Sequence, residues 1–237
     1  LTESGQRLYD YANTVLSEYD KLKKEIDMIR ASEEGTVELL VAYDILRYLT
    51  PDCILEFQKK YPNVTFSYME YPDRIVEKML LDKEGNVALS IGPFAGDCFD
   101  MKSLKKCSLG LLVYEEHSLA KKREATILDL EGEPLYLENS SFKLNEFIQS
   151  RCWNRGFEPD IVFETNGFDL CYKMCRLKRG ISVTIDFVHE DMNTEGLVMI
   201  PFAEDDMIWE IGLLTLKDRA MESSVEKFYK YIENYNN

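Results

Sequence analysis

Asp44 and Ser141 stand 97 positions apart in a chain of 237 residues, each at the polar end of an apolar stretch and the start of an amphipathic one. A helix N-terminus gathers unpaired N–H groups and the positive end of the helix dipole. A hydroxyl placed there welcomes an anion, whereas a carboxylate satisfies the dipole itself and repels one. The flanking segments are short and polar or glycine-bearing, which lets backbone approach a small molecule. Tyr43, Asp44, Ile45, Gly92 and Pro93 form one candidate rim, and Asn139, Ser140, Ser141, Phe142, Asn166, Gly167 and Asp186 form the other. Taken singly, Asp44 or Ser141 is equally well explained as the cap of its own helix; the symmetric placement is what marks a binding site. The asymmetry between them predicts a ligand not anchored by a carboxylate on the Asp44 side, unless Arg47 or Lys143 turns in to compensate.

Other reactive residues form weaker patterns. His117 and His189 are the only histidines, far apart and without a Ser-His-Asp or Cys-His grouping, so core or surface roles are expected and catalysis is not. Cys171 and Cys175 share a helix face at i, i+4 but have no second ligand pair, so no metal is expected. Cys98 and Cys107, nine apart in a stretch that reads as loop-rich, are a candidate redox pair. With no GxGxxG or Walker pattern, neither a nucleotide nor any other cofactor is expected.

The elements that must position the two rims are repeated. Val37, Leu39, Leu40 and Val41 form a nearly continuous apolar strand, as burial on both faces requires. An amphipathic segment reaches Lys60, kinked at Pro51, and Tyr61-Pro62-Asn63 opens a second strand. Adding 97 lands on Pro134–Glu138, the segment after Ser141, and Pro159-Asp160 before Ile161-Val162-Phe163. Each copy continues through a second helix and a glycine, Gly85 or Gly180, into a third strand. The order β-α-β-α-β, given twice, predicts an α/β fold of two Rossmann-like lobes with parallel strands and right-handed crossovers, facing each other across a cleft at the strand carboxyl ends. Ahead of them, Leu8, Ala12, Val15, Tyr19, Leu22, Ile26 and Ile29 recur in steps of four and three, an a/d heptad seam suited to a dimer. Thr2 is the expected N-cap of that helix and Gly35 its stop.

A formal net charge of −15 argues against this chain gripping nucleic acid with its own surface. Six cysteines scattered through apolar segments suit a reducing compartment. No stretch has the length and apolarity of a membrane span. A chain that starts at Leu1 rather than Met is expected to be processed or a piece of a longer protein.

Several segments, in order, resemble the LysR-type transcriptional regulators. Leu1-Thr2-Glu3-Ser4-Gly5-Gln6-Arg7-Leu8 is similar to the family's LTxxGxxL segment. Leu49-Thr50-Pro51, Phe57 and Tyr61-Pro62-Asn63-Val64 resemble its LLP…F…YPxV stretch, and Val87-Ala88-Leu89-Ser90-Ile91-Gly92-Pro93 its DLALxxGP strand and turn. His117-Ser118-Leu119-Ala120 resembles HPLA, Leu130-Glu131-Gly132-Glu133-Pro134-Leu135 resembles LxGEPL, and Arg179-Gly180-Ile181 resembles GxGI. The resemblance implies a linker and dimerisation helix over 1–34, then a two-lobed effector-binding domain of the periplasmic-binding-protein type II kind, with lobe I over 35–113 and 212–237 and lobe II over 114–211. It implies a cytoplasmic dimer or tetramer that senses a small-molecule effector and holds DNA through a winged helix-turn-helix preceding Leu1, with RNA polymerase a further candidate partner, no membrane and no enzymatic activity. Asp44 falls where the family carries an effector-contacting Ser or Thr, which puts carboxylate effectors in doubt. A free-standing solute-binding protein is the competing reading, and it would lack the heptad helix.

Overall fold

The computed structural model describes residues 2–32, 35–94 and 97–235. Helix α1 runs from Glu3 to Ser32, and the Gly5 N–H donates to the Thr2 hydroxyl at 3.2 Å, the expected N-cap contact. Strand β1 (Thr36–Ala42) follows, with Val37 and Leu39 to Ala42 all buried. Helix α2 (Leu46–Lys60) carries the break expected from its proline: Thr50, just before Pro51, has φ 60 and ψ 147. Strand β2 (Thr65–Tyr71), helix α3 (Asp73–Leu81) and strand β3 (Val87–Ile91) complete the first unit, with β2 and β3 both parallel to β1.

Strand β4 (Phe99–Tyr114) leaves this unit and is longer than the expected Leu104–Tyr114. Its polar first half, with Asp100, Lys102, Lys105 and Lys106, is an edge strand, where charge on the pleat discourages pairing with other chains. The second unit repeats the first: β5 (Pro134–Glu138), α4 (Lys143–Asn154), β6 (Asp160–Thr165), α5 (Phe168–Arg176) and β7 (Ile181–Ile185), with β6 and β7 parallel to β5. The repeat spacing is 97 between the starts of α2 and α4 and 94 between those of β3 and β7, so the two units share architecture without a fixed offset. Then come α6 (Asp186–Asp191), β8 (Leu197–Pro201), β9 (Ile208–Leu216) and α7 (Ser223–Tyr235). On α7, Val225, Phe228 and Ile232 are buried, and Phe228 meets Phe57 of α2 edge-on with ring centroids 5.0 Å apart.

Ladder pairing divides β4 between two sheets. Phe99–Ser108 pairs with β9, while Leu109–Leu112 pairs with β7 and Gly110–Tyr114 with β8. Strand β9 pairs only with β3 and the first half of β4. The hydrogen-bonding partners therefore change at Ser108–Leu109 on the way out and ahead of Ile208 on the return, a few residues from the 113/114 and 211/212 divisions expected from sequence.

Gly85 and Gly180 are needed for the same reason in both units, a close approach to the first strand. A Cβ on Gly85 would lie 2.7 Å from Leu40 Cγ, and one on Gly180 would lie 2.5 Å from the Pro134 carbonyl oxygen. The second obstacle is backbone and cannot swing away. Gly180→Ala is therefore expected to cost about 1–3 kcal/mol, read as a lower denaturation midpoint. Wild-type stability in that variant would show that β5 and β7 separate freely there.

The stretch between Cys98 and Cys107 is strand rather than loop, which overturns their pairing. Nine residues of extended strand place the two about 30 Å apart, whereas a disulfide needs Cα atoms within roughly 7 Å. Cys98 is exposed, while Cys107 is buried and its thiol is pushed up to about 12 by burial.

Candidate functional site

The turn from β1 into α2 places Asp44 at φ 69, in the left-handed region that Asp tolerates better than most residues. Helix α2 begins after Ile45, which has no side-chain cap. Asp44 is thus not the N-cap expected from sequence. Its carboxylate turns instead to Arg47 one turn on, 2.5 Å from Nε. The same guanidinium reaches across the cleft: Nη1 meets Asp191 at the end of α6 at 2.6 Å, and Nη2 meets Asp169 at the start of α5 at 2.8 Å. One residue of the first unit is tied to two helices of the second.

Ser141 is likewise not a cap. Helix α4 starts at Lys143 with Phe142 in the cap position and no hydroxyl contact. The group that serves the end of α4 is Asp73 of α3, from the opposite lobe: the Lys143 N–H donates to its two carboxylate oxygens at 3.0 and 3.4 Å. Lys143 then sends its own ammonium back, donating to Glu77 and to the Ile91 carbonyl at 2.8 Å, over the ring of Phe94. Both cations that the sequence marked as able to turn in do so, and each bridges the lobes.

Between these bridges a cavity of only about 20 Å³ remains, roughly the room of one water. Asp44, Asp73 and Glu138 line it, together with Tyr43, Ile45, Phe142, Phe168 and Trp209. Burial pushes the Asp73 carboxyl up to about 6, against the pull of Lys143. It also raises Asp44 against the pull of Arg47. Glu138, at the end of β5, is pushed well above the usual carboxylate range, first by burial and then by repulsion from Asp44 and Asp73. Among the described residues, no group of three or more His, Cys, Asp or Glu is placed to hold a metal ion.

The structure brings Tyr43, Asp44, Ile45 and Phe142 onto this cavity, with the Tyr43 and Phe142 ring centroids 6.2 Å apart. Asn139, Ser141 and Asn166 form a rim linked to itself: Asn139 donates to Asn166 at 2.5 Å and accepts from the Ser141 N–H at 2.8 Å. Ser140 is exposed beside them, and Gly167 precedes α5. Gly92 and Pro93 line a different, larger cavity on the far side of Trp209, with Phe94, Met101 and Phe147. Asp186 is engaged at the strand crossing, accepting from the N–H groups of Ser108 at 2.8 Å and Phe187 at 2.6 Å.

Asp73, Glu77, Glu138 and Trp209 are missing from the sequence-based set. Glu138 left a signal, a carboxylate closing an otherwise apolar strand. Asp73 opens its own helix α3, and the approach of α4 from the other lobe is invisible in sequence. Of the histidines, His117 accepts from the Leu119 N–H at 3.3 Å and lies 3.3 Å from Glu133, while His189 lies 3.0 Å from the Tyr172 hydroxyl.

The LysR substrate binding domain profile matches residues 30–236. The chain belongs to that family. YwbI of Bacillus subtilis (strain 168), an uncharacterized HTH-type transcriptional regulator, is 25% identical over 185 residues, which cover 78% of this chain and 62% of YwbI. The chain therefore matches less than two thirds of that relative's length. Among solved structures, the effector binding domain of QuiR in complex with shikimate superposes with a TM-score of 0.72 at 17% identity, covering 86% of this chain and 98% of the other. The BenM effector binding domain with its effector benzoate gives 0.70 at 19%, covering 84% and 91%. At these identities the likeness establishes the two-lobed fold of LysR effector-binding domains. Among the described residues, no helix of this LysR-family chain is long and apolar enough to cross a membrane.

Proposed function

We propose that this chain is the ligand-sensing part of a LysR-type transcriptional regulator, binding a small organic effector between its lobes and passing the result to DNA through a winged helix-turn-helix ahead of Leu1. The observation that carries this is the pair of cationic bridges: Arg47 to Asp169 and Asp191, and Lys143 to Glu77. They hold the lobes together by contacts that an occupant can replace, so a ligand with unequal affinity for closed and parted lobes shifts their balance. Binding of shikimate by the QuiR domain and of benzoate by the BenM domain supports an effector of that size here. Tyr43, Asp44, Ile45 and Phe142 face it, with the rim of Asn139, Ser140, Ser141, Asn166 and Gly167 beside them, while Gly92 and Pro93 line the neighbouring cavity and Asp186 serves the strand crossing. The role is recognition rather than catalysis, in the cytoplasm, with RNA polymerase as a further partner.

Helix α1 supplies assembly. Leu8, Val15, Tyr19 and Leu22 are 72%, 64%, 63% and 55% exposed, and Ala12 is exposed between them, a stripe that a second copy would cover. The side chains of Ile26 and Ile29, the rest of the expected seam, lie outside the described residues. The test is a melting-shift screen of small metabolites on this chain, with light scattering alongside. We expect a dimer or tetramer and at least one compound that stabilises the wild type but not Phe142→Ala. A strict monomer, or stabilising compounds indifferent to Phe142, would overturn the reading.

A further inference from the structure

The cleft carries more negative charge than the chain itself neutralises. Asp44, Asp169 and Asp191 share Arg47, Glu77 takes the Lys143 ammonium, and Asp73 meets only the backbone N–H of Lys143. Glu138 is left over. It is 4% exposed, lines the cavity, and its carboxyl has no hydrogen-bond partner among the described residues. A buried carboxylate without a counter-charge is costly, by several kcal/mol as an order of magnitude, so the site calls for a cation or a proton.

A second, independent group is also unanswered. The indole of Trp209 is 3% exposed and lines the same cavity, and its Nε1–H has no acceptor. Phe142 and Phe168, each 4% exposed, and the Tyr43 ring supply aromatic walls. Carboxylates beside aromatic faces are the surroundings that suit an ammonium or guanidinium group. The absence of a metal-holding cluster among the described residues favours an organic cation over an inorganic one.

We propose that the effector of this cleft is a small organic cation, a protonated amine or guanidinium, held by Glu138 and Asp44 and carrying an acceptor for the Trp209 N–H. The inference rests on the cleft being the effector site. The cavity has the room of about one water, so the ligand takes its place with the lobes further apart than they stand here. The cation replaces the proton or water that otherwise accompanies Glu138.

The test is isothermal titration calorimetry on the full 237-residue chain at about pH 8. The cationic probes are putrescine, agmatine and arginine, and the anionic probes are glutarate and benzoate. Wild type is compared with Glu138→Gln and Asp44→Asn. Glu138→Gln keeps the shape and removes a buried charge, so it is expected to fold. At least one cation should bind the wild type, weaken tenfold or more in Glu138→Gln and change tryptophan fluorescence, while the anions stay silent. Cation binding unchanged in both variants overturns the proposal. An anion that binds and is blocked by Phe142→Ala overturns it while leaving the effector-cleft reading standing. Binding of neither class overturns both.

Discussion

Asp73→Asn is expected to make the protein more stable than wild type at about pH 8, by up to about 3 kcal/mol. The wild-type carboxyl, ordinarily at 3.8, stands at about 6 because burial outweighs the pull of Lys143. A folded state that holds its proton more tightly than the unfolded chain gains stability from that group below about pH 4. It loses the gain as pH rises through about 6, so the wild type falls across this window and the variant falls less. The helix contact survives, since Asn keeps an oxygen for the Lys143 N–H and caps a helix as well as Asp does. Urea unfolding of both proteins from about pH 5 to 8 checks this. A variant less stable than wild type throughout would mean that attraction to Lys143, rather than burial, governs Asp73.

Arg47→Met should act in the opposite direction. Methionine keeps much of the apolar stem but removes the guanidinium that separates Asp44, Asp169 and Asp191. Asp44, whose side chain is 11% exposed, is left charged and unpaired, while the two lobe II carboxylates are half-exposed or more and rehydrate. A loss on the order of 2–4 kcal/mol follows, most of it from the stranded Asp44 rather than from the outer pairs. The double variant Asp44→Asn/Arg47→Met should recover a good part of it. Small-angle scattering should show the single variant wider than wild type. Unchanged dimensions and stability would remove Arg47 from its bridging role.

What was legible in the sequence, and what was not, follows from where each interaction is encoded. The repeated strand-helix-strand, the kink at Pro51 and the equivalence of Gly85 and Gly180 are local, set by apolar spacing and by residues with special backbone needs, and they appear where expected. The lengths of β4 and the separation of Cys98 from Cys107 were hidden because an edge strand is as polar as a loop. The caps were misassigned for a different reason. Asp44 and Ser141 have the right chemistry at the right position, but Arg47 competes for one, and Asp73 of the opposite lobe serves the helix that follows the other. No single-chain periodicity records which helix end faces which carboxylate once the lobes meet. Arg47 and Lys143 could be flagged as able to turn in, since both lie within a turn of the rim; their targets could not.

The ladder switch in β4 also bears on how such a molecule could have arisen. One unbroken strand serves as the edge of the first sheet and then as an inner strand of the second, and β9 brings the chain back to pair beside it. The second unit is therefore a single contiguous stretch set inside the first, entered and left through neighbouring antiparallel strands. A duplication placed in tandem would end one copy before starting the next. Here the first copy closes only after the second is finished, so β9 and α7 complete a core begun some 170 residues earlier at β1.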